Sequence, residues 1–281
     1  MGILIKVEDR LATYPGRVKL TPVSGQTNVY DMVRADEPVQ EGTPLNKALL
    51  DQKADTLTKN VTVYVSPSGS DADGDGSSEA PFARIQTAIN VLPKNLGGFT
   101  ATINIAAGTY NERIEVDGFS GGQLIIGVSG RSVTVRGVNI TNSNYVTTNR
   151  SNVTWASGYS GTLYYVGYGS SVAVGYGMTV RCEGSTEVGI GVTYGSKLVA
   201  ADIVTTVLNC SRSAILATFG SQAALTTITG SGNTAVGLMA ERGSVISYTT
   251  SSLTATSGDA SRTGGRILSG SGSELAPASV V

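Results

Sequence analysis

Five stretches in the second half of the chain carry one short phrase. They run Leu163–Ser170, Gly189–Ser196, Ala214–Ser221, Ala235–Ser244 and Gly265–Ser273, and each closes on Gly-Ser. The glycines at 169, 195, 220, 243 and 272 stand 26, 25, 23 and 29 residues apart. Short β-type runs closed by glycine at such a period are the signature of a solenoid, because one repeat cannot bury its apolar side alone and stacked repeats can. The predicted fold is all-β: a right-handed parallel β-helix whose coils each add about 4.8 Å, the spacing of paired strands. Roughly nine coils would make a rod on the order of 40 Å, and a rod implies reach or display before it implies a pocket.

Composition agrees. Glycine supplies 36 of 281 residues and charged residues only 15%, which fits tight turns and closely stacked small side chains. A net charge of −1 gives no general attraction to nucleic acid or to an anionic membrane. With no histidine, the commonest general base and zinc ligand is missing. Cys182 and Cys210 lie 28 residues apart, about one repeat, so they are placed in adjacent coils. They are read as two buried thiols, with a disulfide as the alternative, since two cysteines do not make a framework. The start, Met1–Asp9, has too short an apolar run for a signal peptide, and no apolar run approaches a membrane span. The chain is expected to be made in a cytoplasm.

Charge divides the chain: residues 1–60 hold 16 of the 41 charged residues and residues 151–281 only 12. The first segment reads as a hydrated attachment module. Val18–Val23 and Asn28–Val33 flank Ser24-Gly-Gln-Thr27 as a hairpin. Leu45–Leu57 reads as a short neck helix with Thr43 as N-cap and Pro44 as its first residue. Residues 61–281 form the β-helix, with a capped start over 61–117 and repeat coils over 118–281. Val61–Val65 is a strand. Phe82, Ile85, Ala88, Ile89 and Leu92 fall at helical spacing before Pro93, predicting a helix that caps the exposed first coil. Leu198, Val207, Ile215, Leu225, Ile228, Val236, Leu238, Val245 and Leu253 are the expected inward aliphatics.

At this point two resemblances can be stated. Tyr64–Asp71, Asp75–Phe82, Ile85–Ile89 and Ile103–Val116 resemble the opening of pectate-lyase-like right-handed parallel β-helix proteins. Arg10–Gly25, Arg34–Pro38 and Glu41–Lys47 are similar to the amino-terminal segment of tail-fibre or tail-tip proteins of phages and prophages of Gram-positive bacteria. That second resemblance implies a virion protein, made in the host cytoplasm, a homotrimer attached to phage tail or baseplate proteins through residues 1–60.

Chemistry-bearing residues are sparse. Asp71, Asp73 and Asp75 have the spacing of the first half of an EF-hand-type calcium loop, but Phe82 replaces the closing glutamate. The reading preferred is a loop held by aspartates bonded to their own backbone. Gly108-Thr-Tyr-Asn-Glu112 resembles a motif of pectin methylesterases, whose later catalytic segments have no counterpart here, so Glu112 is read as structural. Glycoside cleavage needs two facing carboxylates. The repeat region offers six scattered acids, Glu183, Glu187, Asp202, Glu241, Asp259 and Glu274, with Glu183 and Asp202 the nearest to a pair. Aromatics are the denser set. Trp155, Tyr159, Tyr164, Tyr165 and Tyr176 are candidates for a glycan platform, in which sugar CH faces stack on rings. Tyr168, Tyr194 and Phe219 share one place before Gly-Ser and read as a stacked ladder.

The expected function is therefore a non-enzymatic receptor-binding tail fibre protein, with host cell-surface polysaccharide as partner. The alternatives are a tailspike-like polysaccharide depolymerase and a purely structural baseplate or tail component.

Overall fold

A computed structural model describes residues 11–12, 18–24, 30–34, 38–40, 56–127, 132–148, 152–157, 161–175, 177–182 and 186–270. The chain divides into two compact units, one spanning residues 4–54 and the other beginning at residue 55. In the first, Val18–Pro22 pairs antiparallel with Tyr30–Arg34, placing Leu20 opposite Met32, as the intervening turn residues predict. Leu11–Ala12 pairs with Pro38–Gln40. The neck helix falls outside the described residues except at its end. There, Thr56 bridges to Asn95 and Leu57 is buried.

The second unit is a parallel β-solenoid whose coils have three faces. Face one stacks Val61–Val65, Thr100–Ile105, Gln123–Ile126, Val146–Thr148, Ser171–Val174, the leading parts of Lys197–Leu208, Gln222–Asn233 and Val245–Ala255, and Arg266–Leu268. Face two runs from Gly108–Asp117 through Ser132–Thr141, Asn152–Ser157 and Met178–Cys182 into the trailing parts of the same three long strands. Face three holds the ends of Gly108–Asp117 and Ser132–Thr141, then Gly161–Gly167, Thr186–Val192, Ser213–Ala217, Val236–Glu241 and Ala260–Arg262. All three faces recur together for about six turns, fewer than the nine coils that repeat spacing implied.

Period-two alternation explains which residues point in. In Thr100–Ile105 every second residue (Ala101, Ile103, Ile105) is buried. Leu198, Val207, Ile215, Leu225, Ile228 and Leu238 are inward as expected. Val245 is not: it shares an outer column with Ser171, Lys197, Gln222 and Arg266. Leu253 is only partly buried, and Val236 sits in a separate small cluster with Val188, Leu216 and Met239.

Two further expectations are corrected. The capping helix is not supported. Of the run Phe82–Leu92 only the six residues Ile85–Asn90 are helical, and they lie within the first coil, with Ile85, Ala88 and Ile89 buried against the core. Glu112 binds the first amides of this helix, and Pro93 follows two residues after its C-cap Val91, so there is no length left to cover an end. The cysteines are not free. Cys182 and Cys210 form a disulfide with Cα atoms 5.2 Å apart, because pairing of Met178–Arg181 with Thr205–Leu208 brings the residues that follow within reach of the bond.

The repeating Gly-Ser has a definite role. Ser143, Ser170, Ser196, Ser221 and Ser244 are all buried and form an internal column at the corner between faces three and one. The Ser170 Oγ accepts from the Ser143 N–H at 3.1 Å, Ser196 Oγ from Ser170 N–H at 3.2 Å, Ser221 Oγ from Ser196 N–H at 3.3 Å, and Ser244 Oγ from Ser221 N–H at 2.9 Å. The same hydroxyls donate within their own turns, as Ser221 Oγ does to the Thr218 carbonyl at 2.8 Å. Ser143, which lacks a preceding glycine, belongs to the column. Thr263–Gly264 (φ 51° and 75°) repeats the left-handed pair one coil after Arg242–Gly243, and Gly272–Ser273 lies outside the described residues.

Replacing Ser221 by alanine leaves the buried Ser196 N–H and Thr218 carbonyl without that partner. The expected loss is about 1–3 kcal/mol of unfolding free energy, read as a lower urea midpoint at unchanged m-value. An unchanged midpoint would show that the column contributes nothing.

Candidate functional site

The corner that hides the serines displays aromatic rings. At each turn a residue and the glycine after it are both left-handed: Tyr168 and Gly169 (φ 55° and 72°), Tyr194 and Gly195 (53° and 71°), Phe219 and Gly220 (56° and 73°), Arg242 and Gly243 (53° and 74°). Beside these four glycines a Cβ would meet nothing within 4 Å, so it is the positive φ, not lack of room, that favours glycine there. Each glycine N–H donates to the carbonyl of the preceding position in the next coil, as from Gly169 to Tyr194 at 2.9 Å and from Gly195 to Phe219 at 2.9 Å. Identical turns one strand spacing apart must stack their outward side chains. Tyr168 lies 4.8 Å from Tyr194, and Tyr194 lies 4.7 Å from Phe219, at interplanar angles of 8° and 7°. Arg242 continues the column with its guanidinium 4.5 Å from the Phe219 ring centre. The ladder read from sequence is therefore present. It is also open to solvent, with Tyr168 54% and Tyr194 45% exposed.

A groove of about 460 Å³ adjoins this corner on face one. Thr147, Ala173 and Val199, in register on the outer side of three successive strands, lie along it, with Gln123 and Ser171 supplying polar groups. The Gln123 Nε2 donates to Thr147 Oγ1 at 3.1 Å. Tyr145 also lines the groove. It is 72% exposed and left-handed (φ 56°), a conformation that costs a tyrosine about 1–2 kcal/mol and marks the position for scrutiny. Nothing in the local sequence singles out Tyr145: its turn lacks the Gly-Ser pair, and it stands directly before the strand Val146–Thr148.

The predicted platform is only partly assembled. Tyr164 is fully buried, its hydroxyl 2.6 Å from Thr148 Oγ1, and burial pushes its phenol well above the ordinary value. It is a core residue, paired with Val138 and Ile190. Tyr165, its neighbour, is half-buried beside the ladder, and its hydroxyl accepts from Thr193 Oγ1 at 2.8 Å. Burial raises the Tyr165 phenol, and the bond from Thr193 opposes that. Trp155 is on face two in register with the core residues Val135 and Val180. Tyr159 and Tyr176 lie outside the described residues.

The aspartate loop spends its carboxylates separately. Asp71 accepts from the Ala83 and Arg84 amides at 3.0 and 3.1 Å and pairs with Arg84 Nε at 2.6 Å. Burial would raise its carboxyl, but the bonds from Arg84 hold it below the usual range. Asp73 accepts from Ser70 Oγ at 3.0 Å, and Asp75 from the Ser77 amide at 2.8 Å. Among the described residues no group of three or more acids or cysteines is arranged to hold a metal ion, and Asp71, Asp73 and Asp75 each bond a different backbone or side-chain donor. Glu112, read as structural, receives the Ile85 and Gln86 amides at 2.7 and 3.0 Å. Of the repeat-region acids, Glu187 pairs with Arg212 at 4.0 Å, Glu241 with Arg242 at 3.9 Å, and Asp259 accepts from the Leu238 amide at 2.9 Å. Glu183 and Glu274 lie outside the described residues, and of Asp202 only the backbone is described.

The chain matches no protein-family model and no curated protein. Among solved structures it is similar to a rhamnogalacturonan lyase at 11% identity and a TM-score of 0.30, over 69% of this chain and 73% of that one. The fold is a parallel β-solenoid. No residue correspondence is drawn from a likeness at that level.

Burial raises the Asp259 carboxyl above its ordinary value of 3.8, against the lowering effect of the Leu238 amide. Within the interval that opens above 3.8, the folded chain keeps a proton that the unfolded chain has lost. Stability from this group is therefore greatest below that interval and falls as pH rises through it. Asp259→Asn keeps an acceptor for Leu238 and should raise the urea midpoint at neutral pH while flattening the acidic part of the pH profile. An unchanged profile would remove Asp259 as its source.

Proposed function

We propose that this chain is a glycan-binding attachment protein, carried on a phage or phage-like tail as a trimeric fibre component. Residues 1–60 serve as the tail attachment, and the β-helix presents the aromatic corner to host cell-surface polysaccharide. One observation carries the glycan reading: Tyr168, Tyr194 and Phe219 form an exposed, pre-stacked strip that ends at Arg242.

The chemistry of the strip suits an extended carbohydrate. Tyr168 and Tyr194 put two phenolic hydroxyls on successive coils, and one pyranose unit is about one coil long. Tyr145, exposed at the groove, offers a ring face for a sugar's CH side, with Gln123 and Ser171 nearby to bond hydroxyls. The rings are held by stacked strands, so little side-chain freedom remains to be lost on binding. Three parallel copies would add avidity to a weak single site. On this reading the ligand contacts Tyr145, Tyr168 and Tyr194, which are exposed, and not Tyr164, which is buried. A depolymerase role would need a second carboxylate facing Asp259, Glu187 or Glu241 across a bound sugar, and each of these has a partner of its own: the Leu238 amide, Arg212 and Arg242.

The double variant Tyr145→Ala with Tyr168→Ala should weaken binding to isolated host surface polysaccharide by about tenfold or more, each lost ring contact being worth roughly 1 kcal/mol. The β-sheet circular dichroism should be unchanged. Undiminished binding by a folded double variant would remove this corner as the glycan site, and reducing ends released by the unaltered protein would identify a depolymerase.

A further inference from the structure

The two tyrosines of the ladder are placed for a chemistry that no binding role uses. Tyr168 and Tyr194 stand in equivalent turns of successive coils, with nearly the same left-handed backbone (φ 55° and 53°). Their side chains therefore leave the corner in the same direction. The rings lie 4.8 Å apart at 8°, and both are exposed. Two phenols held face to face and open to solvent are the reactants of oxidative coupling. Holding reactants side by side removes most of the entropy cost of bringing them together.

The rest of the column takes no part. Phe219 has no phenol and Arg242 has no aromatic ring, so the stack of Tyr168, Tyr194, Phe219 and Arg242 holds a single phenol pair. The neighbouring phenols are withdrawn: Tyr164 is buried with its hydroxyl on Thr148, and Tyr165 is half-buried with its hydroxyl on Thr193. The same two coils already carry one oxidative link. The strands Ser171–Val174 and Met178–Cys182 follow Tyr168, and Lys197–Leu208 follows Tyr194, so Tyr168 and Cys182 share one coil while Tyr194 and Cys210 share the next. The cysteines are 28 residues apart and the tyrosines 26. The disulfide joins the coils near the corner between faces two and three, and the phenols face each other at the corner between faces three and one.

We propose that Tyr168 and Tyr194 are an oxidative cross-linking site, at which hydrogen peroxide acting through a haem peroxidase joins the two rings as a dityrosine within one chain. The oxidant takes one electron and the phenolic proton from each ring. The two phenoxyl radicals couple through one Cε carbon apiece, and the hydrogen on each coupled carbon moves to its own phenol oxygen. One C–C bond forms, two hydrogen atoms leave, and one peroxide carries them away as two waters. The rings must tilt out of their stack to form the bond, a rotamer motion that exposed side chains make rapidly. The link fastens the two coils at a second corner and restricts the unfolded chain as a disulfide does.

The test treats the full chain, dilute and without glycan, with a haem peroxidase and hydrogen peroxide, and a parallel tube of free tyrosine shows that the oxidant is active. The product should run at the single-chain mass of 28.8 kDa, be lighter by two hydrogen atoms and show the blue fluorescence of dityrosine. Proteolysis should release the peptides that contain Tyr168 and Tyr194 as one joined species, and the treated chain should unfold at a higher urea concentration. Tyr194→Phe keeps a ring at that place in the ladder and removes one phenol. With its circular dichroism unchanged, it should give no intramolecular product. No coupling in the unaltered chain, links that map to other tyrosines or only between chains, or an undiminished product from Tyr194→Phe would each overturn the inference. None of these results depends on a bound polysaccharide, so the glycan reading is judged separately by its own binding assay.

Discussion

One corner of the coil governs the rest of this structure. Four successive passages from face three to face one, at Tyr168, Tyr194, Phe219 and Arg242, take two consecutive left-handed residues and then a serine that points inward. For Tyr168, Tyr194, Phe219 and Arg242 the left-handed conformation costs about 1–2 kcal/mol apiece. The cost is offset from both sides of the backbone. Inside, the serine column bonds each turn to the next. Outside, rings and guanidinium stack on one another. Neither column is useful to a single coil, since the partner of each group is always the same group one coil away. The corner therefore makes stacking cooperative, which is the energetic pattern of repeat folds generally.

The same constraint creates the candidate site. Ring spacings of 4.7 and 4.8 Å are the spacing of hydrogen-bonded strands, transmitted through identical turns. A ladder so built is rigid before any ligand arrives, and its repeat is that of the solenoid itself. Tyr145 immediately precedes the face-one strand Val146–Thr148, which puts it beside the groove rather than in the ladder. The aromatic strip and the groove thus differ in origin and share a corner.

Away from this corner, residues whose type implies chemistry are occupied in holding backbone. Asp71 and Glu112 both receive main-chain amides around the short helix Ile85–Asn90. Asn233, buried at the corner between faces two and three, accepts from the Cys210 amide and donates to the Val207 and Thr254 carbonyls. The disulfide stands in the coils just before it. Irregular backbone buried at a corner must find partners for its polar groups, and these carboxylates and the Asn233 amide meet that demand where no neighbouring strand does.

The solenoid, its repeat and the ladder at Tyr168, Tyr194 and Phe219 were determined by sequence alone. Spacing and turn chemistry are local properties, and stacking copies them from coil to coil. Residues adjacent in sequence were not resolved in the same way. Tyr164 and Tyr165 are identical in type, and only the register with Val138 and Ile190 sends the first into the core. The exposure of the ladder, the pairing of Cys182 with Cys210, the use of Asp71 by Arg84 and the meeting of Tyr145 with the groove were decided by tertiary structure. Each depends on which side of a strand faces inward and on what the next coil places opposite, and no local pattern contains that information.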